Sequence, residues 1–452
     1  MSPRHFAVFL TCLSVLGACT PTDEATTSTE ASDPSTTCEV TTSESGGTDL
    51  EDNHTAYLSG YVVVPLDQVD ATLSLLSDSG IDVGEAGIDD VLGEEGLEDE
   101  EAVAARSSLN EIVQIFTVSE NGADADPLAV AEDIRAQDPQ LRIAPIHAIG
   151  EAGHIAFKAG TDPEPVEGDI EPPADAAEDA SLAAVVDSGI YGETPGLSGN
   201  VEMTQLDEEP SSGEHSHGTF VSSIVRQLSS EHRITFARAR MVPLADFAWS
   251  DGDPGATDLT SLTTELHVAE AILRILHRHE NESERVQSLN LSLGAYSPLL
   301  QGDTAMTTIF LVLDRWFATF PDAPVFAAGG NDPVVDPFWP GALEPVVAVG
   351  ALNDPPGAAP VEIVWHDSDD DGRSEEVPWT DVTSTSRDWI DDLAPGSLLV
   401  NYSQPEVLAC WSGSSFASAV ANGLYLRGES PIPPSRGDIA GLTYWDGTKI
   451  AP

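Results

Sequence analysis

From residue 182 onward, short apolar runs with no polar alternation are separated by segments of helical period, and this constrains the fold more than any other feature of the chain. The runs are Leu182 to Val186, Ile234 to Pro243, Val286 to Leu293, Pro324 to Ala328 and Val346 to Ala351. A strand apolar at every position is buried on both faces, which parallel sheets achieve by placing crossover helices on each side. Between the runs, Leu262, Leu266, Ala269, Leu273 and Leu276 recur at helical spacing, and Met306 to Phe320 reads as a second apolar helix. The expected fold class is α/β: a doubly wound, mainly parallel sheet with helices on both faces.

Sheets of this kind carry their chemistry at the carboxyl ends of the strands. Leu182 to Val186 runs straight into Asp187-Ser188-Gly189, which places a carboxylate there. Thirty residues later, His215-Ser216-His217-Gly218-Thr219 opens a helix with an imidazole in its first turn. Near the end, Trp411-Ser412-Gly413-Ser414-Ser415-Phe416-Ala417 sets small residues before an apolar helix, so a serine there gains backbone donors and a favourable dipole. Amide hydrolysis needs a nucleophile, a base, an acid to orient that base, and donors for the tetrahedral oxyanion. Taken singly, an Asp after a strand is a turn former and a Ser before a helix is an N-cap. The ordered set is what points to hydrolysis.

In that order, Asp-Ser-Gly, His-Gly-Thr and Gly-Ser-Ser-Phe-Ala resemble the three signature boxes of the subtilisin-like serine peptidases, and the similarity runs from about Ala183 to Gly423. The order differs from those of chymotrypsin-like enzymes and α/β-hydrolases. The resemblance implies Ser415 as nucleophile, His217 as general base and then acid, and Asp187 as the carboxylate that orients the imidazole. Ala327-Ala328-Gly329-Gly330-Asn331 resembles the family's oxyanion loop, which makes Asn331 a donor together with the Ser415 backbone N–H. Ser288 to Gly294 resembles its substrate-binding strand, with Ser292, Leu293 and Gly294 pairing with substrate backbone. The pattern departs at Ser216, Ser414 and Ala419, each a small residue replacing another. The implied function is a serine endopeptidase acting on protein or peptide substrates through an acyl-enzyme. The alternative is a catalytically degenerate, surface-anchored binding or display module on the same fold.

Upstream, Arg4 and His5 precede an apolar run from Phe6 to Leu16, too short to span a bilayer and right for a signal peptide. Leu16-Gly17-Ala18-Cys19 resembles a bacterial lipobox, which implies Cys19 as the lipid attachment point. The expected organisation is a signal peptide over 1–19, a disordered acidic Ser/Thr-rich tether over 20–53, and a small α+β domain over 54–160. A Pro/Glu-rich connector over 161–180 and the peptidase domain over 181–452 follow. Within the small domain, strand-like runs at Tyr61 to Pro65, Ile112 to Val118, Leu141 to Ile149 and His154 to Lys158 flank helices at Val69 to Leu76 and Pro127 to Ala136. The resemblance implies that this domain is a propeptide, with cleavage expected between Gly160 and Ala180. The protein is expected to be exported and to reach the membrane through a lipid anchor, or to be secreted after processing.

Composition closes off other classes. Asp and Glu total 77 against 18 Lys and Arg, a formal charge of −59, and a chain this acidic does not bind nucleic acid. His215-x-His217 lacks a third ligand at zinc-like spacing, so no metal ligand is assigned. Asp367-Ser368-Asp369-Asp370-Asp371-Gly372 starts like a calcium loop but has Pro378 where the bidentate Glu belongs, which leaves calcium as a cofactor open beside a plain acidic turn. With Cys12 removed and Cys19 acylated, Cys38 and Cys410 are the remaining thiols. Two readings stay open for them: a disulfide in an oxidising compartment, or a buried free Cys410 beside Trp411.

Overall fold

The computed structural model describes residues 56–93, 99–151, 163–204, 216–249, 261–296, 307–331, 337–352, 389–396, 399–429 and 443–444. The leader, Cys19, Cys38, the strand expected at His154 to Lys158 and the acidic stretch at Asp367 lie outside them.

The N-terminal unit consists of β1 (Ala56–Pro65), α1 (Val69–Asp78), β2 (Asp82–Ala86), α2 (Glu100–Asn110), β3 (Val113–Glu120), α3 (Pro127–Gln137) and β4 (Ala144–Glu151). Its strands form an antiparallel sheet in the order β4-β1-β3-β2. Val62, Val64, Phe116 and Val118 face α1 and α3, and Val63, Ile115 and Ile146 face the other way. This is the period-2 split of a sheet buried on both faces.

The larger unit begins with β5 (Glu164–Pro165), β6 (Leu182–Asp187), β7 (Val201–Thr204), α4 (Ser216–Leu228) and β8 (Arg233–Arg238). Next come β9 (Ser261–Thr264), α5 (Glu265–His279), β10 (Val286–Leu291), β11 (Leu293–Tyr296), α6 (Thr307–Thr319) and β12 (Val325–Ala328). It ends with β13 (Phe338–Trp339), β14 (Val346–Leu352), β15 (Asp392–Pro395), β16 (Leu399–Gln404), β17 (Val407–Trp411) and α7 (Ser414–Leu426). Seven of these strands make a wholly parallel sheet in the order β15-β14-β12-β10-β6-β8-β7. On β6, Leu182, Ala184 and Val186 pack beneath α5 and α6, while Ala183 and Val185 pack beneath α4 and α7. The doubly wound α/β class read from the apolar runs is therefore the observed fold, preceded by an α+β unit.

Three of the boundaries that differ from the sequence reading have a clear physical reason. Leu262 belongs to β9 rather than to the helix, because Thr264 caps α5 by accepting from the His267 N–H. The run Val286 to Leu293 divides at Ser292, where the chain leaves the parallel sheet and pairs elsewhere. The run Ile234 to Pro243 ends its parallel pairing at Arg238. Residues 163–180 are mostly exposed, yet they are pinned. Ile170 is buried against Val400, Tyr402 and Cys410, and Asn200 Nδ2 donates to Asp175 at 3.0 Å. Arg226, fully buried, donates to the carbonyls of Ala174 at 2.8 Å and Ser230 at 2.7 Å, and desolvation lowers its pKa to about 10.

One apolar cluster is continuous across both units, taking Val63, Ile115 and Ile146 together with Leu182, Leu266, Ile272 and Trp316. Charges line its rim. Arg106 of α2 donates to Glu270 of α5 at 2.8 Å and to Asp89 at 2.9 Å, Arg278 pairs with Glu101 at 3.2 Å, and Arg274 pairs with Asp99. Burial pushes the Glu270 carboxyl up against the opposing pull of Arg106. Trp316 is fully buried, and its Nε1 donates to the Ala323 carbonyl at 3.1 Å. Trp316→Ala therefore lowers stability by about 3–5 kcal/mol, read in urea as an earlier midpoint at an unchanged slope.

Candidate active site

Asp187 ends β6 at the carboxyl edge of the sheet and is fully buried. A carboxylate there must be hydrogen-bonded to be tolerated. Its Oδ1 accepts from the Ser188 backbone N–H at 2.8 Å and lies 2.9 Å from His217 Nδ1, with Oδ2 at 3.1 Å from the same nitrogen. The pairing fixes the tautomer, because Nδ1 must carry a proton to bridge to the carboxylate, leaving Nε2 to act.

His217 sits in the first turn of α4, with its ring between Trp411 at 5.6 Å, edge-on, and Phe416 at 5.4 Å. Gly218 follows for a steric reason: a Cβ there would stand 2.2 Å from the Gly189 carbonyl oxygen and 3.0 Å from Asp187 Cβ. The two segments can approach closely enough for the imidazole to reach the carboxylate only because residue 218 has no side chain.

Ser415 lies in the first turn of α7, one residue before Phe416. Its Oγ donates to the Ser292 carbonyl at 3.0 Å. Ser292 Oγ in turn donates to the Ser415 carbonyl at 2.6 Å and accepts from Asn290 Nδ2 at 2.7 Å, and Ser418 Oγ completes the knot 2.9 Å away. Asn331 Oδ1 accepts from the Ser414 backbone N–H at 2.7 Å, and the Gly330 N–H donates to Ser414 Oγ at 3.1 Å. The serine-bearing turn is thus tied to the loop after β12 on one side and to the segment before β11 on the other.

The structure brings Asp187 and His217 into direct contact, places Ser415 beside Ser292 and next to the ring that packs on His217, and joins Asn331 to the same turn. Leu293 and Gly294 lie in β11. Sequence reasoning missed what lies against them. The end of β4 runs antiparallel between two strands of the larger unit, pairing Ile149 with Thr263 and Ala148 with Thr264 of β9, and Gly150 with Gly294 and Glu151 with Leu293 of β11. Apolar alternation reports that a segment is a strand but not its partner, and the one signal for this pairing is the resemblance that makes Ser292 to Gly294 an edge for an added strand. The aromatic shelf of Trp411 and Phe416 was likewise not singled out, although both flank the serine motif.

Among the described residues, no group of His, Cys, Asp and Glu is placed to hold a metal ion, and no helix is long and apolar enough to cross a membrane.

No curated protein sequence matches the chain. Among solved structures, the prenylagaramide maturation protease PagA is 19% identical, with a TM-score of 0.35 over 57% of this chain and 79% of its own. A cold-adapted subtilisin-like serine proteinase is 17% identical, with a TM-score of 0.34 over 58% of this chain and 81% of its own. The MycP3 protease of a type VII (ESX-3) secretion system is 19% identical, with a TM-score of 0.35 over 58% of this chain and 79% of its own. The model of the subtilase family matches residues 179–427, more than half of the chain and the whole stretch from the connector to the end of α7, so this protein belongs to the subtilase family.

Proposed function

We propose that this protein is an exported serine endopeptidase in which Ser415 is the nucleophile, His217 the proton carrier and Asp187 its orienting carboxylate. The observation that carries the reading is the buried Asp187–His217 hydrogen bond at 2.9 Å, beside a helix N-terminus that bears a serine. Rotation about χ1 takes the Ser415 hydroxyl from the Ser292 carbonyl toward His217 Nε2. That nitrogen removes the proton as Oγ attacks the scissile carbonyl, then returns it to the leaving amine. The tetrahedral oxygen is stabilised by the Ser415 N–H at the helix terminus and by Asn331 Nδ2, whose partner atom Oδ1 is held by the Ser414 N–H. Water then hydrolyses the acyl-enzyme by the same proton route.

The N-terminal unit acts as a propeptide in this reading. The end of β4 lies antiparallel to β11, with Glu151 opposite Leu293, which follows the residue whose carbonyl accepts from Ser415 Oγ. Cleavage falls in the connector, between Gly160 and Ala180. Cleavage there leaves the two units joined if a disulfide spans them. Cys410 is disulfide-bonded, and the chain's other cysteines, Cys12, Cys19 and Cys38, all precede β1. With a leader removed and lipid on Cys19, Cys38 is the partner, so the cut enzyme stays attached to its lipid-bearing segment.

Four outcomes follow. A serine-directed fluorophosphonate labels Ser415 and fails to label Ser415→Ala or His217→Ala, whereas a degenerate display module takes no label at all. Asn331→Ala lowers turnover about 10²–10³-fold while labelling persists, because one oxyanion donor is lost and the nucleophile is not. Mass spectrometry of mature protein finds a new N-terminus between Gly160 and Ala180 that is absent from Ser415→Ala. A palmitate analogue that labels wild type but not Cys19→Ser follows the catalytic domain into the membrane fraction until reductant releases it, and a cut domain that is soluble without reductant excludes the bridge.

A further inference from the structure

The two faces of β11 differ. Side chains alternate across a strand and directly opposed residues share a face, so Gly294 and Tyr296 point to one side, together with Phe338, which pairs with Tyr296. A peptide lying where β4 lies turns two residues to that side: the one opposite Gly294 and the one two positions further on. The second of these supplies the carbonyl beside Ser415, so its side chain enters whatever space this face offers.

That space is occupied. A Cβ on Gly294 would stand 2.4 Å from Phe338 Cε1, 2.7 Å from Phe338 Cζ and 2.3 Å from the Trp339 carbonyl oxygen. From the opposite wall, Gly330, at φ 93°, presents a Cβ position 2.3 Å from the Tyr296 hydroxyl and 3.0 Å from Phe338 Cγ. The two rings meet edge-to-face at 4.8 Å and form, with Ala328, a small apolar cluster of their own, in which Phe338 is 2% exposed and Tyr296 4%. Glycines line both walls, and the gap they would leave is filled by aromatic carbon rather than left open.

We propose that Phe338, supported by Tyr296, is the specificity-determining residue of this peptidase, closing the pocket for the side chain on the acyl side of the scissile bond so that only glycine, alanine or serine is accepted there. This inference rests on the peptidase reading above. The chain's own β4 conforms, with Gly150 opposite Gly294.

The test uses mature full-length enzyme and peptide p-nitroanilides identical except for a terminal Ala or Phe, with fluorophosphonate labelling of Ser415 as a separate readout. Wild type cleaves the Ala substrate with kcat/KM about 100-fold or more above the Phe substrate. Phe338→Ala narrows or inverts that ratio by at least about tenfold. Phe338→Leu, which keeps an apolar group of smaller bulk, shows a partial shift in the same direction and covers the case in which the alanine variant does not fold. Wild type that takes the label yet cleaves the Phe substrate as fast as the Ala substrate overturns the pocket assignment while leaving the peptidase reading intact. Wild type that takes no label overturns both.

Discussion

The organisation of the larger unit depends on one strand. Every residue of β6 is buried, alternately beneath the α5–α6 layer and the α4–α7 layer, so the chain cannot slip by a residue without exchanging its two faces. That rigidity carries to its last residue. Asp187 is a carboxylate taken out of water, and it is tolerated only because the Ser188 N–H and His217 meet it. The imidazole must come to the strand end, so α4 must start there, and Gly218 must lack a side chain. The aromatic rings of Trp411 and Phe416 then pack on the histidine and fix where β17 and α7 join. The geometry at Ser415 is the far end of this sequence of constraints.

Much of this was legible in the sequence because the controlling interactions are local. Leu182 to Val186 reads as buried on both faces without any partner being known, and each chemical motif lies within a few residues of a strand end or helix start. The chain also held information that apolar counting passed over. Leu262 falls at helical spacing, yet Thr264 two residues later is a helix cap, and the cap decides the boundary. Ser292 sits inside an apolar run, and only the network formed by Ser415, Ser418 and Asn290 shows why the strand must break there. Pairing between distant strands was not legible. β4 and β11 are separated by well over a hundred residues, and neither carries a pattern that selects the other.

Charge is distributed with the same economy. The chain has few cations for its 77 acidic residues, and the structure places several of them where backbone or buried carboxylates need a donor rather than on the surface. Arg226 collects the carbonyls that hold the connector, and Arg106, Arg274 and Arg278 join the two units along α2 and α5. The remaining carboxylates repel one another across the surface, a force that salt screens within about 8–10 Å. Net acidity and these arginine pairs are therefore complementary, since the pairs oppose the repulsion where it would separate the units.

The placement of β4 has a kinetic meaning. A strand held by an antiparallel ladder on each side, and belonging to a unit whose apolar core is continuous with the rest, does not leave by diffusion when one peptide bond is cut. While its unit stays docked, its presence at the cleft is set by that docking and not by the concentration in solution. An external peptide at micromolar concentration competes poorly against such a resident. On the proposed peptidase reading, dissociation of this strand rather than the rate of bond breaking governs when the cleft first becomes open to other chains.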